Sequence, residues 1–262
     1  NIGISHIEQL KTQENIRAEK LHIIDRFDPD SVLFLNGDDP LLADLKGKLP
    51  CRTVFYGTQP WCDYRAGDVS ADAGGTRFTL LRGGDSLELF LPVPGMHNVL
   101  NALAAVAVAD FLGVGKERAS AALANYCPPA MRQQVLTVNG ITMIDDSYNA
   151  SPDSMRSSID VLQSLKGSGK SVAVLADMLE LGELSEQAHF DVGVYAAKAG
   201  VNEIVTIGKR AAKIAEGAVS AGLAAGCKSF LENGEAAAYL QSRLKAGDAV
   251  LVKGSRGMHT DE

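Results

Sequence analysis

The chain has 262 residues, of which 46% are hydrophobic and 22% are charged, and its formal net charge is -7 at pH 7. This is the composition of a globular protein with one large core or two ordinary ones. The acidic balance excludes a nucleic-acid surface from the expected functions, because no cluster of Lys and Arg interleaved with aromatic residues offsets it.

The apolar runs and the cysteines indicate in which cellular compartment the chain is expected. The longest apolar run, VLNALAAVAVA at 99–109, is shorter than the roughly 20 residues that a membrane span needs, and no signal-peptide pattern is present. The four cysteines lie far apart without a C-x-x-C pair, so neither a zinc site nor a disulfide framework is indicated. We expect a cytoplasmic monomer. Because Asn1 is neither Met nor a small residue left by Met removal, we also expect polypeptide upstream.

The first half of the chain mixes helix and strand signals. ENIRAEKLHIIDRF at 14–27 has helical spacing, and SVLFLNGDDP at 31–40 contains a short strand. TRFTLLRGGDSLELFLP at 76–92 predicts a hairpin with its turn at Gly83-Gly84.

A longer helix is predicted after Pro94-Gly95. Its apolar face is predicted to contain Leu100, Leu103, Ala107 and Phe111. Asn98 and Asn101, three residues apart, share a polar face near the positive end of the helix. Two carboxamides offer the paired donors and acceptors that read a purine edge. By themselves, however, these two residues are more typical of a helix cap and a buried hydrogen-bonded Asn, and this structural interpretation is favoured without further context.

The second half alternates regularly between strand-like runs and segments of helical spacing. The runs are ITMID, SVAVLAD, EIVTIG, KSFLE and DAVLVKG. This pattern predicts an α/β domain with a mostly parallel, doubly wound sheet covered on both faces. The stiff pair Pro128-Pro129 stops the preceding helix, so we place the domain boundary there, between residues 1–128 and 129–262.

The segment IDDSYNASPDSM at 144–155 reads as a strand end, a polar loop and a helix start. Ser151 can cap the helix and Pro152 suits its first position, and a buried stripe follows. The stripe consists of Met155, Ile159, Leu162 and Leu165. Loops at the carboxyl ends of parallel strands are where ligands bind, so Asp146 could hold a ribose hydroxyl. Taken alone, however, such Asx-rich loops are more often simple turns.

KGSGKS at 166–171 spells part of a phosphate loop. A phosphate loop needs an earlier glycine where Ser164 stands, and it must follow a strand and open a helix. Here a helical pattern precedes the segment and SVAVLAD follows it. We therefore predict that Gly167 and Gly169 end a helix and that Lys170 and Ser171 begin a strand.

Taken together and in order, several stretches resemble the Mur ligases of peptidoglycan synthesis over nearly the whole chain. They are NIGISHIEQLKTQENIRAEK, LNGDDP, GMHNVLNALAA, the Arg132 that follows the Pro-Pro pair, IDDSYNASPDSM, LADMLELGELSEQAH and GDAVLVKGSRGM. DSYNASPDSM and DMLELGE are most similar to the branch that adds D-Ala-D-Ala to UDP-N-acetylmuramoyl-tripeptide. The resemblance implies the C-terminal part of a central ATPase domain, followed by a complete Rossmann-like C-terminal domain.

The resemblance also implies a reaction and its cofactors, ATP and Mg²⁺. ATP phosphorylates the tripeptide carboxylate, and the amine of D-Ala-D-Ala attacks the acyl phosphate. By similarity, His6 is a magnesium ligand and Lys20 is the lysine that becomes carbamylated. The same similarity assigns Asn98 and Asn101 to adenine, Arg132 to the phosphates, Asp146 to the ribose, and Tyr148, Asn149 and Ser151 to the neighbourhood of the incoming dipeptide.

By the same resemblance, the family's phosphate-binding loop, its magnesium-binding acidic residue and the domain that grips the UDP-sugar are expected upstream of Asn1. We therefore expect the chain alone to be inactive. Two alternatives stay open at this point. One is a sister Mur ligase or folylpolyglutamate ligase, and the other is a non-catalytic module that binds a nucleotide or a peptide.

Overall fold

The computed structural model describes residues 1–72 and 74–262, which divide into two compact units. Unit 1 comprises residues 1–3 and the described part of 10–127, and unit 2 comprises residues 4–9 and 128–262. The short helix α1 (Ile7–Leu10) belongs mainly to unit 2.

Unit 1 is built on a five-stranded sheet in the order β1-β2-β3-β4-β5. The first three strands run parallel, and β3, β4 and β5 pair antiparallel. The strands are β1 (Val32–Asn36), β2 (Arg52–Gly57), β3 (Tyr64–Asp72), β4 (Gly75–Arg82) and β5 (Asp85–Leu91). The helices are α2 (Gln13–Leu21), α3 (Pro40–Ala43), α4 (Met96–Phe111) and α5 (Lys116–Ala124).

The predicted hairpin is confirmed as β4 and β5. Arg82 pairs with Asp85 across a turn in which Gly83 has a φ of 56° and Gly84 a φ of 93°. Positive φ at both central residues is the geometry that matches the right-handed twist of the flanking strands. Only glycine adopts it without steric cost, so the Gly-Gly pair determines the register.

Helix α4 supplies much of the unit 1 core, but its predicted apolar face is partly wrong. Leu103 and Ala107 are fully buried as expected, whereas Phe111 is 45% exposed. The buried face is centred on Val99, since at about 100° per residue Phe111 lies roughly 120° away from it. The ring of Phe111 instead makes an edge-to-face contact with Phe34 of β1, at a centroid distance of 6.0 Å.

Unit 2 is built on a six-stranded sheet in the order β10-β9-β8-β11-β7-β6. All neighbouring strands are parallel except β6, which pairs antiparallel with β7. The strands are β6 (Gln134–Val138), β7 (Ile141–Asp145), β8 (Ser171–Ala176), β9 (Glu203–Ile207), β10 (Cys227–Phe230) and β11 (Ala249–Lys253). The helices are α6 (Pro152–Leu165), α7 (Ser185–Lys198), α8 (Ala212–Ser220) and α9 (Asn233–Gln241).

The predicted doubly wound sheet is confirmed by the burial of β8, whose six residues are all buried. Ala173 and Leu175 join a core cluster on one face of the sheet, and Val172 and Val174 join another cluster on the opposite face. The last strand, β11, lies between β7 and β8. The chain thus crosses the sheet in one direction from β7 to β10 and then returns to insert β11. The carboxyl ends of β7, β11 and β8 are therefore neighbours, and in open parallel sheets ligands bind at the carboxyl ends of the strands.

KGSGKS is a turn, as predicted, and not a phosphate loop. Helix α6 ends before it and β8 begins at Ser171. The backbone N–H of Lys170 donates to Asp248 Oδ1 at 2.8 Å, and that of Ser171 donates to Asn202 Oδ1 at 2.9 Å. A Cβ on Gly169 would lie 2.3 Å from the carbonyl oxygen of Gly247, so glycine is required by close packing against the neighbouring loop.

Among the helices formed by residues 1–72 and 74–262, none is long and apolar enough to cross a membrane.

Candidate functional site

Three loops of unit 2 converge on one cavity at the carboxyl ends of the neighbouring strands β7, β11 and β8. The cavity has a volume of about 250 Å³ and is lined by residues 148–151 after β7, 179–181 after β8 and 255–257 after β11. Ser5 and His6 from the N-terminal segment of the same unit complete its wall. The predicted residues Tyr148, Asn149 and Ser151 are thus brought together with His6 in a single lining.

The capping geometry of α6 orients the first of these loops. Ser151 is the N-cap, and its Oγ accepts a hydrogen bond from the N–H of Ser154 at 3.4 Å. Ser154 Oγ in turn accepts from the N–H of Ser151 at 2.9 Å, which completes a capping box. Pro152 occupies the first turn, where a missing N–H costs nothing. The sequence-predicted cap and helix start are confirmed.

Asp146 lies at the base of the same loop, and both of its carboxylate oxygens accept hydrogen bonds. Oδ2 accepts from Lys253 Nζ at 2.6 Å and from Ser158 Oγ at 2.6 Å, while Oδ1 accepts from the N–H of Gln133 at 3.2 Å. A carboxylate offers about four lone-pair sites, so one on Oδ1 is left for a further donor.

Lys253 was missed by the sequence analysis, although it ends the apolar strand β11 in the motif DAVLVKG. Its side chain is only 2% exposed, and its ammonium also donates to the carbonyl oxygen of Asn149 at 2.8 Å. Burial lowers the pKa of Lys253, and the neighbouring Asp146 opposes that effect by attracting the charged form. The signal that could have found it is its position, since Lys253 stands at a strand end just as Asp146 does.

Arg132 is held against this loop by an unusual backbone. The flanking residues Met131 and Gln133 have φ values of 64° and 50°, a left-handed conformation that costs non-glycine residues on the order of 1 kcal/mol each. The carbonyl of Met131 accepts from the N–H of Tyr148 at 3.1 Å, and the guanidinium of Arg132 lies 4.1 Å from the centroid of the Tyr148 ring. Arg132, Asp146 and Tyr148 are therefore neighbours.

His6 also sits in a left-handed conformation, with a φ of 64°. Its Nδ1 lies 2.6 Å from Glu180 Oε2, and both side chains are at least half exposed. When Nδ1 donates to a carboxylate, the lone pair is on Nε2, which is how metal-bound histidines are commonly oriented. Within the described part of the chain, however, no group of three His, Cys, Asp or Glu side chains could hold a metal ion. The described residues thus supply an oriented imidazole but not a complete magnesium site.

The loop after β8 is positioned by a buried histidine. His189 is fully buried, its Nε2 accepts from the N–H of Met178 at 2.9 Å, and its Nδ1 donates to the carbonyl of Ser185 at 2.6 Å. Burial lowers the pKa of His189, so the ring is neutral and both nitrogens have a defined role. The N–H of Leu179 donates to Ser255 Oγ at 2.9 Å, which ties this loop to the loop after β11.

The other predicted residues lie in unit 1. Lys20, on α2, is exposed, and its Nζ donates to the carbonyl of Asn1 at 2.8 Å. Asn98 and Asn101 lie in the first turns of α4, the former half-buried and the latter exposed. Asn98 Nδ2 donates to the carbonyl of Pro94 at 2.7 Å, which secures the start of the helix.

Two family models match consecutive parts of the chain. The Mur ligase middle domain matches residues 1–109, and the Mur ligase, glutamate ligase domain matches residues 131–256. Among curated relatives, a UDP-N-acetylmuramoyl-tripeptide--D-alanyl-D-alanine ligase of Bacillus subtilis is 38% identical over 263 residues, which cover 100% of this chain and 56% of the relative. The enzyme of the same name from Mycobacterium tuberculosis is 32% identical over 277 residues, covering 97% of this chain and 54% of the relative.

Solved structures agree with these matches. MurF from Acinetobacter baumannii superposes with a TM-score of 0.89 at 29% identity, covering 100% of this chain and 56% of that one. A MurF ligase from Thermotoga maritima in complex with ADP superposes with a TM-score of 0.86 at 26% identity, covering 100% and 58%. The chain therefore spans a little over half the length of these relatives. Because both domain models match in order and the full-chain superpositions are with the same enzymes, the chain belongs to the Mur ligase family.

Proposed function

We propose that this chain is part of a cytoplasmic, ATP-dependent ligase that joins D-Ala-D-Ala to UDP-N-acetylmuramoyl-tripeptide in peptidoglycan synthesis. The names of its relatives and the order of its motifs support this proposal. Residues 1–128 would then contribute to the central ATP-binding domain and residues 129–262 would form the C-terminal domain. The observation that carries the proposal is the cavity at the carboxyl ends of β7, β8 and β11, where three strand-end loops converge.

The cavity suits the acceptor, a small dipeptide with one amine and one carboxylate. Tyr148, Asn149 and Ser151 would lie beside the dipeptide, where they offer aromatic, amide and hydroxyl groups. Arg256 lines the same cavity, and its Nη1 is 3.0 Å from Asp261 Oδ2. We propose that this guanidinium attracts the dipeptide carboxylate, because Arg presents paired donors that match a carboxylate.

On the nucleotide side, Arg132 would neutralise phosphate charge. Its contact with the Tyr148 ring keeps the guanidinium in one orientation. Asp146 would accept a ribose hydroxyl through the remaining lone pair of Oδ1. In unit 1, Asn98 and Asn101 would contact adenine, for which their carboxamides have the required donors and acceptors.

The proposed chemistry needs charge neutralisation, since an anionic carboxylate oxygen must attack the anionic γ-phosphate of ATP before the amine can displace phosphate from the product. Transfer of the γ-phosphoryl group gives an acyl phosphate and ADP. Attack by the dipeptide amine then forms the amide and releases phosphate and a proton. Mg²⁺ would lower the repulsion between the anions. We propose His6 and a carbamylated Lys20 among its ligands.

A chimaera tests the proposal directly. The N-terminal part of the Bacillus subtilis relative, up to the point where its match to this chain begins, would be joined to residues 1–262. We expect phosphate release that requires ATP, UDP-N-acetylmuramoyl-tripeptide and D-Ala-D-Ala together. Activity with single amino acids or glutamate in place of the dipeptide would point to a sister ligase, and no ligation by a folded chimaera would refute the proposal.

The chain alone provides a second measurement. Calorimetry with ATP, with D-Ala-D-Ala and with their mixture shows whether either ligand saturates the isolated chain. Tight binding of one ligand, together with an inactive chimaera, would favour a non-catalytic binding module. Weak binding alone with an active chimaera would support the ligase.

A further inference from the structure

The ammonium of Lys253 makes all its hydrogen bonds to one short segment. It lies 2.6 Å from Asp146 Oδ2, 3.4 Å from the carbonyl oxygen of Asp146 and 2.8 Å from the carbonyl oxygen of Asn149. A lysine ammonium has three donors, so this segment uses all of them. The loop between β7 and α6 is thereby held to the end of β11.

Asp146 also connects this loop to a second segment, residues 131–133. Its Oδ1 accepts from the N–H of Gln133, and the N–H of Tyr148 donates to the carbonyl of Met131. These two bonds flank Arg132 on either side, where the backbone is left-handed at two non-glycine residues. Such strain persists only where the surroundings determine the conformation.

We propose that Lys253 is a positioning residue of the candidate site, which fixes Asp146 and, through Asp146, the Arg132 segment and the 146–151 loop. A purely stabilising role is a poor explanation for this arrangement. Replacing a buried ion pair with apolar residues of similar size is often neutral or stabilising, so the pair is weak evidence for stability. Lys253 also lies at the carboxyl end of the sheet, where the proposed ligands bind.

Hydrogen exchange on the 262-residue chain measures the positioning without any ligand. In Lys253→Met we expect the amides of residues 131–133 and 146–151 to exchange about tenfold faster or more. The 146–151 loop loses its charge-assisted anchor directly, and residues 131–133 lose the fixed position of Asp146, to which the N–H of Gln133 donates. Amides of the distant strands β9 and β10 should be unchanged. The matched control is Lys170→Met, which removes an exposed lysine from the opposite end of the same sheet and should change neither segment.

A second variant covers the case in which Lys253→Met fails to fold. Ser158→Ala removes the other side-chain donor to Asp146 Oδ2 and leaves no buried charge unpaired. It should speed exchange in the same two segments by a smaller factor. Uniformly faster exchange across unit 2, or no local change in either variant, would overturn the proposal.

Because the functional meaning of this positioning rests on the proposed ligase activity, kinetics in the chimaera provide the second readout. Lys253→Met should raise the KM for ATP by about tenfold or more, with a smaller change in kcat. If both constants of the folded variant equal those of the unsubstituted chimaera, Lys253 has no positioning role in the reaction. If the unsubstituted chimaera is inactive, the proposed function fails, whereas the exchange result still decides whether Lys253 fixes the two segments.

Discussion

At the scale of single residues, the contact between Arg132 and Tyr148 makes a direct prediction. A guanidinium 4.1 Å from a ring centroid gains about 0.5–1 kcal/mol at an exposed site, and the ring also restricts its orientation. In the chimaera, Tyr148→Ala should raise the KM for ATP several-fold, whereas Tyr148→Phe keeps the ring and should change it little. Equal KM values for both variants would show that the ring does not orient Arg132.

Because His189 is buried and its pKa is lowered, we predict that the stability of unit 2 depends on pH. Burial lowers its pKa in the folded state, and the nearby Arg210 lowers it further while Asp177 and the bond to Ser185 act in the opposite direction. Below pH 6.5 the unfolded chain therefore binds a proton that the folded chain does not. The stability that His189 contributes is fully present above pH 6.5 and is lost as the pH falls toward the folded-state pKa.

The measurement compares the thermal midpoint of unit 2 at about pH 7.5 and at about pH 5.5. His189→Gln keeps an acceptor for Met178 and removes the titration, so the drop between the two pH values should become smaller. His259→Gln, at an exposed position of the same unit, is the control and should leave the drop unchanged. A drop that is identical in His189→Gln would contradict the prediction.

At the scale of elements, strands marked by an apolar run or by a hairpin turn could be predicted from the sequence, and strands that are mostly exposed could not. β8 reads as an uninterrupted apolar run because both of its faces are covered. β3 was missed because five consecutive residues of YRAGDVSAD are exposed, and β6 because four of its five residues face solvent. For such strands, pairing with a neighbour outweighs local preference, and one sequence carries no information on which neighbour is available.

For the helix α6, we predict the effect of its N-cap on stability. Ser151→Ala removes the N-cap and should lower the free energy of unfolding of unit 2 by about 1 kcal/mol. Ser151→Asn restores a capping oxygen and should recover most of it. The control Ser164→Ala, on an exposed position of the same helix, should stay within about 0.5 kcal/mol. Denaturant unfolding of the three variants tests whether Ser151 acts as a cap apart from its proposed place beside the dipeptide.

At the scale of the whole molecule, the local features of the candidate site could be predicted from the sequence, but its long-range contacts could not. The loop 144–155 could be predicted as a ligand loop because its strand, its cap and its helix are local signals. The partner of Asp146 could not, since Lys253 lies 107 residues further along the chain. Nor does the sequence reveal that β11 is inserted between β7 and β8, the topology that brings the two together.

The domain boundary at Pro128-Pro129 remains a prediction, and a fragment tests it. Residues 128–262 contain both core clusters that cover the unit 2 sheet, apart from Ile4, a partly buried neighbour from the N-terminal segment. We expect the fragment to unfold cooperatively, with a free energy in the ordinary range of about 5–15 kcal/mol.

The matched control for that fragment is residues 147–262, which lacks β6, β7 and Asp146. It should not fold cooperatively, because Lys253 would be left buried without its partner and β11 would lose a neighbour. Circular dichroism and denaturant unfolding distinguish the two fragments. If 128–262 lacks a cooperative transition, residues 1–127 are needed to complete its fold, and the boundary at Pro128-Pro129 does not separate independent domains.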